Sequence, residues 1–353
     1  MKLFIDCRMI GSGGIGSYLS ALLPFFINDF DCILLGKPDT LNEYKSDIKV
    51  QVIETDVKPF SINELLTFPK TIINIINSCD IYYSPYFNIP KGIKIPVCTT
   101  IHDVLFLDIP KLAGKTGTLI RKWFYQHACN KSNIIFTVSE FSKNRIEKHL
   151  QNCQGKIIIT YNAVPQWFKT KKHPTVKDGS ILFVGNIKKH KGLSTLLDAI
   201  SIVHNSGIKT KLKIVGNSEN FRTGDEEIAK KIQSLSEDHV IFTGYISEQE
   251  LQDNYASANL LVQPSFYEGF GMPPLEALSL GTNVIISDIP VFKEIYQDFP
   301  VTFFKCGDSI DLAEKIQEIY NKPFYAAIPE KYSFEKTFNI IKTSINNIFQ
   351  MKN

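Results

Sequence analysis

The strongest constraint on the fold is a rhythm of short β-branched runs and longer helical patterns, which repeats along almost the whole chain. The short runs are continuously apolar rather than alternating, which is typical of strands buried on both faces of a parallel sheet. Strands of this kind separated by helices indicate βαβ units and a doubly wound α/β fold. The predicted strands are 3–7, 32–35, 50–53, 81–84, 97–101, 134–138, 157–161, 181–184, 212–215, 240–243, 260–262, 284–287 and 301–304. Among the helices predicted between them are one over 63–77 and one near 226–235.

The rhythm breaks once, in a polar, lysine-rich stretch near the middle of the chain. A length of 353 residues also suits two domains, at roughly 150 residues each. Two parallel sheets in tandem predict a ligand cleft at the carboxyl ends of their strands. The final helix is expected to pack back on the N-terminal domain. The predicted parts are an N-terminal Rossmann-like domain over 1–168, a linker over 169–179, a C-terminal Rossmann-like domain over 180–330, and the final helix over 331–353.

Composition excludes several classes of protein. With 44% hydrophobic and 21% charged residues the chain is neither disordered nor fibrous, and a net charge of +3 argues against a nucleic-acid-binding protein. No run reaches the roughly 18 uncharged apolar residues that cross a membrane. Asp6 interrupts any apolar signal core, so a cytoplasmic protein is expected. The seven cysteines lack C-x-x-C spacing, which predicts neither a zinc site nor disulfides.

A glycine-rich loop follows the first predicted strand and opens a helix. Residues 11–16, Gly-Ser-Gly-Gly-Ile-Gly, match the G-x-G-x-x-G pattern of dinucleotide-binding folds, so an NAD(P)-dependent oxidoreductase is one hypothesis. That pattern also expects an acidic residue about 20 positions further on, where only Asp39 is available. Glycines let backbone N–H groups approach any phosphate at a helix start. The loop alone therefore leaves open a dinucleotide, another phosphate ligand and a plain tight turn.

A second pattern follows the strand at 260–262. Residues 265–277 read Ser-Phe-Tyr-Glu-Gly-Phe-Gly-Met-Pro-Pro-Leu-Glu-Ala, and Pro274 suits the first turn of a helix. This places Glu268 in a loop and Glu276 inside the first helical turn, with backbone N–H groups between them that suit a phosphate. Carboxylates beside a phosphate site do not bind the phosphate, so we expect them to bind hydroxyls. A diphosphate with hydroxyls on both sides is a nucleotide sugar.

Glu268 and Glu276, with seven residues between them, resemble the E-x7-E motif of the retaining family 4 glycosyltransferases of the GT-B fold. The resemblance extends over most of the chain, because the glycine loop, the pair His102-Asp103 and the pair Lys191-Gly192 each match a landmark of that family. It implies two Rossmann-like parallel-sheet domains facing each other across a cleft. The N-terminal domain would then bind the acceptor and the C-terminal domain the donor.

The resemblance also implies the reaction, which is transfer of a hexose from a nucleotide-diphosphate sugar to a hydroxyl of a glycan or lipid-linked glycan, with retained anomeric configuration. Cell-surface polysaccharide assembly is the implied role, with no metal and no other cofactor. The Asp-Phe-Asp at 29–31, which spells a metal motif of another architecture, is interpreted as a solvated turn. The implied catalytic residues are His102 and Glu268, and the implied donor-binding residues are Gly13, Gly14, Lys191, Tyr245, Gly269, Phe270, Gly271, Met272 and Glu276.

Each residue also has a structural interpretation. His102 alone would suit a hydrogen-bonded core histidine, Glu268 a solvated loop acid, and Glu276 a first-turn carboxylate that matches the helix dipole. Tyr245, predicted to pack against the nucleobase, would also suit the core. At the level of the whole protein, an NAD(P)-dependent oxidoreductase and a non-catalytic sugar-nucleotide-binding protein stay open as alternatives.

Two features depart from the family pattern or lie outside it. Asn186 stands where many members have an arginine, so the second phosphate-binding cation is left open among Lys188, Lys189 and a protonated His190. A loop over 106–117 and the predicted helix over 119–130 also carry basic and aromatic side chains close together in the sequence. A solvated helix face is the favoured interpretation, with peripheral contact to the inner face of the membrane as the alternative. These side chains are Lys111, Lys115, Arg121, Lys122, Trp123 and Phe124.

Overall fold

A computed structural model describes residues 1–61, 63–64, 67–168, 176–216, 228, 230–232, 235, 239–324 and 329–352. The chain divides into two compact units. The first combines Met1–Asn162 with Tyr332–Asn353, and the second is Ala163–Lys331. Each unit is built on a parallel sheet flanked by helices, so the predicted α/β class with two parallel sheets is confirmed.

The first unit contains a seven-stranded sheet with the order β3-β2-β1-β4-β5-β6-β7. Its strands are β1 Lys2–Asp6, β2 Asp31–Gly36, β3 Val50–Glu54, β4 Ile81–Ser84, β5 Val97–Thr100, β6 Ile134–Thr137 and β7 Ile157–Ile159. Its described helices are Gly13–Asp29, Pro38–Leu41, Lys70–Asn77, Leu105–Asp108, Gly114–Lys131, Glu140–His149 and Phe334–Lys352. The strand order reverses between β1 and β4, and such a point opens a ligand crevice at the carboxyl ends of the strands.

The second unit contains a six-stranded sheet with the order β10-β9-β8-β11-β12-β13. Its strands are β8 Ser180–Val184, β9 Lys211–Val215, β10 Val240–Gly244, β11 Leu260–Gln263, β12 Asn283–Ser287 and β13 Val301–Phe304. Its described helices are Leu193–Asn205, Glu248–Ser257, Met272–Ser279, Pro290–Tyr296 and Ser309–Ile319. Here the order reverses between β8 and β11, so the loops after these two strands meet at the carboxyl edge.

Each predicted strand is present in the structure within one or two residues at either end, whereas one predicted helix is broken. We predicted a single helix over 63–77, but the helix begins at Lys70, with Pro69 at its N-cap. Proline disfavours helical backbone in the residue before it, which explains the interruption. The helix predicted near 226–235 falls largely outside the described residues.

The boundary between the units lies earlier than predicted. We placed 163–168 in the N-terminal domain, but these residues belong to the second unit, where the Phe168 ring lies 6.3 Å from that of Tyr255. Residues 169–175 of the predicted linker lie outside the described residues. Lys177 Nζ donates hydrogen bonds of 2.8 Å to Ala256 O and Thr282 Oγ1, so the end of the predicted linker is anchored to the second unit.

The last helix, Phe334–Lys352, packs on the first helix of the first unit. Phe338 lies in a cluster of aromatic rings, with ring centroids 5.4 Å from Phe25 and 5.2 Å from Phe26. Lys342 Nζ lies 2.7 Å from the Asp29 carboxylate. Residues 29–31 thus form a helix-to-strand turn in which Asp31 is exposed and Asp29 makes a partly exposed ion pair with the last helix.

Candidate active site

Two predicted site residues that lie 77 positions apart in the chain are in contact in the second unit. Lys191 Nζ lies 2.8 Å from each carboxylate oxygen of Glu268. The pair lies where the loops after β8 and β11 meet. The side chains are 21% and 10% exposed, so their attraction is screened less by water than that of a surface ion pair.

Gly192 allows this contact to form. Its φ of 70° is left-handed, and a Cβ at this position would lie 1.9 Å from the carbonyl oxygen of Pro264. The backbone N–H of Phe266 also donates a 2.8 Å hydrogen bond to the carbonyl oxygen of His190. The two loops therefore touch through their backbones, and only glycine allows that approach.

Glu268 is also held by two residues that sequence reasoning missed. Its Oε1 accepts hydrogen bonds from Ser265 Oγ at 2.7 Å and from Gln263 Nε2 at 3.3 Å. Ser265, Gln263 and Glu268 are all buried. The interpretation of Glu268 as a solvated loop acid is therefore wrong. The sequence feature that could have indicated a site role for Gln263 is its place as the polar last residue of an otherwise apolar strand.

Glu276 lies in the second turn of the helix Met272–Ser279, not in the first turn as we predicted. The interpretation as a first-turn carboxylate is therefore wrong. Its Oε2 accepts a 2.6 Å hydrogen bond from Tyr255 OH, a partner that the sequence did not reveal. Burial raises the pKa of Glu276 to about 7, although the hydrogen bond from Tyr255 opposes the shift.

The start of this helix lies between the two acidic residues. Gly271 is the N-cap residue, with a left-handed φ of 87°. A Cβ on Gly271 would lie 2.4 Å from the ring of Phe292, so glycine is required by both backbone and packing. Because no side chain caps this helix end, the positive end of the helix dipole is not covered by the chain's own capping group.

In the first unit, His102 follows β5, and its side chain is partly buried. Its Nε2 lies 3.0 Å from the carbonyl oxygen of Pro85, which can only accept, so Nε2 carries the proton. Burial lowers the pKa of His102 to about 4, so the ring is neutral at pH 7 and Nδ1 is an acceptor. This geometry suits a structural histidine as well as one that binds a hydroxyl, and the catalytic role stays a prediction.

The glycine loop lies at the same edge of the first sheet, after β1. Gly13 and Gly14 are exposed, and no atom lies within 4 Å of a Cβ added at either position. Gly16 is different, because a Cβ there would lie 2.5 Å from Met9 O. Gly16 therefore serves close packing, while the backbone of Gly13 and Gly14 is open to a ligand.

Comparison with known proteins assigns both units to one kind of enzyme. The profile for Glycosyltransferase Family 4 matches residues 13–166, and the profile for glycosyl transferases group 1 matches residues 165–336. Together the two matches span 13–336, so the chain belongs to the glycosyltransferases that combine these two domains.

Individual relatives carry related names. The chain is 25% identical to O-antigen chain mannosyltransferase B of Escherichia coli over 62% of its own length, and 33% identical to O-antigen chain mannosyltransferase RfbU of Salmonella typhimurium over 58%. In both cases the match spans 59% of the relative's length. An uncharacterised glycosyltransferase of Methanocaldococcus jannaschii is 28% identical over 79% of this chain and 77% of its own.

Solved structures share the fold at low sequence identity. The structure of Anabaena HepE in complex with UDP-glucose has a TM-score of 0.75 and 14% identity, covering 98% of this chain and 100% of that one. Sucrose-phosphate synthase from Thermosynechococcus elongatus has a TM-score of 0.72 and 14% identity, covering 99% and 100%. The predicted GT-B fold class is confirmed.

The loop after β8, for which we predicted phosphate binding, has a neutral side chain at one of the three candidate cation positions. Burial, followed by the nearby charge of Lys191, lowers the pKa of His190 to about 4. His190 is therefore neutral at pH 7 in the absence of a bound anion, which favours the two neighbouring lysines as the second cation. Lys188 and Lys189 are exposed in the same loop and remain candidates.

Tyr245 follows β10 and is 82% exposed. The alternative interpretation as a core aromatic is therefore wrong, and the contact with a nucleobase stays a prediction. In the described part of the glycosyltransferase, no helix combines the length and the apolar character needed to cross a bilayer.

Proposed function

We propose that this chain is a retaining, family 4-like glycosyltransferase that moves a hexose from a nucleotide-diphosphate sugar to a hydroxyl of a glycan or lipid-linked glycan. The contact between Lys191 and Glu268 carries the proposal. A cation for the diphosphate and a carboxylate for the sugar must lie side by side, because the two groups they bind are joined by one bond. The names of the O-antigen mannosyltransferase relatives make mannose the first hexose to test, and cell-surface polysaccharide assembly the first role.

The donor roles follow from the chemistry of each group in the second unit. Lys191 and the uncapped helix start at Gly271 stabilise negative charge on the departing diphosphate. Glu268 accepts hydrogen bonds from the sugar hydroxyls and Glu276 from the ribose hydroxyls. Tyr245 packs against the base. Because a cation and a helix dipole act on the diphosphate, we propose that the reaction requires neither a divalent metal nor another cofactor.

The proposed reaction occurs on one face of the sugar. The bond from the anomeric carbon to the diphosphate oxygen breaks, and the acceptor oxygen bonds to that carbon from the same face. The departing phosphate oxygen takes the proton of the acceptor hydroxyl. The Glu268 carboxylate is held by Lys191 and Ser265, which suits an orienting group better than a covalent nucleophile. His102 orients a sugar hydroxyl through Nδ1.

One experiment separates the proposed function from its alternatives. Thermal unfolding with UDP, GDP, dTDP and NAD(P)H should show stabilisation by one nucleoside diphosphate, because a ligand that binds only the folded state raises the unfolding temperature. The matching donor, GDP-mannose first, should then be consumed in EDTA, and proton NMR should show a product with the donor's anomeric configuration. Stabilisation by NAD(P)H alone contradicts the proposal. A donor that binds but is neither transferred nor hydrolysed indicates a non-catalytic protein, and restoration of activity by magnesium contradicts metal independence.

Peripheral membrane contact is proposed from one helix of the first unit. On the helix Gly114–Lys131, Leu119, Ile120 and Trp123 are 67%, 54% and 49% exposed, whereas Phe124 is buried. The chain has five Lys and Arg residues but no Asp or Glu over 109–139. An apolar patch in a basic surface suits an anionic bilayer.

We expect the protein to sediment with vesicles that contain phosphatidylglycerol but not with pure phosphatidylcholine, and to dissociate at high salt. The double variant Leu119→Ser and Trp123→Ser should lose most of this binding. Ile310→Ser serves as the control, because Ile310 is 63% exposed on the second unit. Equal sedimentation of all three proteins would show that the helix face is simply solvated.

A further inference from the structure

The first unit contains a buried ionic cluster that the proposed function does not use. Arg8 Nη2 lies 2.5 Å from Asp6 Oδ2, 2.6 Å from Glu64 Oε1 and 2.7 Å from Tyr86 OH. The side chains of Asp6 and Glu64 are fully buried, and that of Arg8 is 3% exposed. Removing such charges from water is costly, and here the cost is offset by the ion pairs and hydrogen bonds within the cluster.

The cluster anchors the chain segment that follows β3. Arg8 Nη1 donates a 3.1 Å hydrogen bond to Val57 O, and the backbone N–H of Phe60 donates a 2.9 Å bond to Glu64 Oε2. The segment starts at β3, the outermost strand of the sheet. It nevertheless contacts Arg8, which follows the end of β1, and Tyr86, which follows the end of β4. It therefore crosses the carboxyl edge of the sheet to the point where the strand order reverses.

Phe60 ends this crossing in an unfavourable backbone conformation. Its φ is 62°, and among the described residues only Asn152 shares a positive φ without being glycine. Asparagine tolerates the left-handed region, whereas a bulky aromatic residue is strained there. The Phe60 ring lies 5.1 Å from that of Tyr86 and 5.3 Å from that of Phe87, yet Phe60 is 46% exposed. The Phe60 ring is therefore held by two aromatic neighbours while nearly half of the residue stays exposed.

The same short segment holds both Phe60 and His102. Pro85 O accepts the hydrogen bond from His102 Nε2, and the next two residues, Tyr86 and Phe87, support the ring of Phe60. Parallel α/β sheets bind their ligands where the strand order reverses. Phe60 therefore lies at the edge where His102 is proposed to orient the transferred sugar.

We propose that Phe60 forms an acceptor subsite in which its exposed ring stacks on the apolar C–H face of a hexopyranose. This inference rests on the proposed function, since the stacked sugar is the one whose hydroxyl receives the transferred hexose. An aromatic ring offers a large rigid contact area, and a ring already held in place loses little freedom on binding. The exposed neighbours Asp56 and Lys58 make this a polar surface with one ring, which suits a sugar better than a lipid tail.

Saturation-transfer NMR with methyl α-D-mannopyranoside, glucopyranoside, galactopyranoside and N-acetylglucosaminide tests the subsite without the natural acceptor. The wild-type protein should bind at least one of them at millimolar concentration. Phe60→Asn should weaken that binding by at least about tenfold, because asparagine accepts the backbone conformation but removes the ring. Phe60→Trp should retain binding, and Ile48→Ala, which removes another exposed side chain, should not change it.

The outcomes distinguish this inference from the proposed function. Stabilisation by a nucleoside diphosphate should be equal in the wild type, Phe60→Asn and Ile48→Ala, which a merely unfolded variant would not show. Equal sugar binding by Phe60→Asn and wild type overturns the subsite, as does a wild type that binds none of the four methyl glycosides. Binding of 1,2-octanediol in place of the sugars would also overturn it, in favour of a lipid-tail site. Sugar binding without nucleotide stabilisation would instead contradict the proposed donor.

Discussion

Replacing Lys191 with alanine should lower the turnover number for sugar transfer by at least about 100-fold, as removal of a group that stabilises developing negative charge does elsewhere. Lys191 Nζ contacts both oxygens of Glu268, so the substitution removes the cation proposed for the diphosphate and leaves the carboxylate without its ion pair. Among the residues that the structure describes, Glu268 would then keep Ser265 and Gln263 as side-chain partners. Release of nucleoside diphosphate in the presence of acceptor measures the effect.

Matched variants show whether this loss is specific. Lys209→Ala removes the same charge from an exposed position before β9, at the opposite edge of the sheet, and should leave the rate unchanged. Lys191→Arg keeps the charge but changes its geometry, so an intermediate rate is expected. Thermal unfolding of each variant shows whether it is folded. A folded Lys191→Ala protein that works at nearly the wild-type rate would contradict the proposed role of Lys191.

Replacing Glu276 with glutamine should have opposite effects on stability and on donor binding. The pKa of Glu276 is about 7 in the folded protein, against an ordinary value of 4.5. The folded protein therefore favours the protonated form of Glu276. The stability that this side chain contributes is fully present below pH 4.5 and is lost as the pH rises through 7. Glutamine can still accept the hydrogen bond from Tyr255 but carries no charge. We expect the free energy of unfolding of Glu276→Gln to exceed that of the wild type by about 1–3 kcal/mol at pH 9, with little difference near pH 4.5.

Donor binding should change in the other direction. An ionised carboxylate accepts hydrogen bonds from hydroxyls more strongly than a neutral amide, so Glu276→Gln should bind the donor about tenfold more weakly at pH 8. For the same reason, wild-type affinity should rise between pH 6 and 8, and that of the variant should not. Calorimetry at several pH values measures both effects. Glu314→Gln, at an exposed position on the helix Ser309–Ile319, is the control. Equal pH profiles for the wild type and Glu276→Gln would contradict a role for this residue at the ribose.

The candidate site was only partly readable in the sequence. Lys191, Glu268 and Glu276 stand out because they lie in recognisable short patterns, and the first two of them are in contact. Their hydrogen-bond partners lie in no such pattern and were found only in the structure. Ser265 and Gln263 bind Glu268 Oε1, and Tyr255 binds Glu276 Oε2. The lowered pKa of His190 depends first on its burial, which the sequence pattern did not indicate.

The sequence by itself determined the strands, their burial and the division into two parallel sheets, because continuous apolar runs and the helices between them are local properties. Only the tertiary structure decided which side chains meet. The contact between Lys191 and Glu268 requires β8 and β11 to be neighbours, and the buried cluster at Arg8 requires β1 beside β4. Strand order sets such contacts, and burial then sets the charge of each group. Neither property can be read from the spacing of residues along the chain.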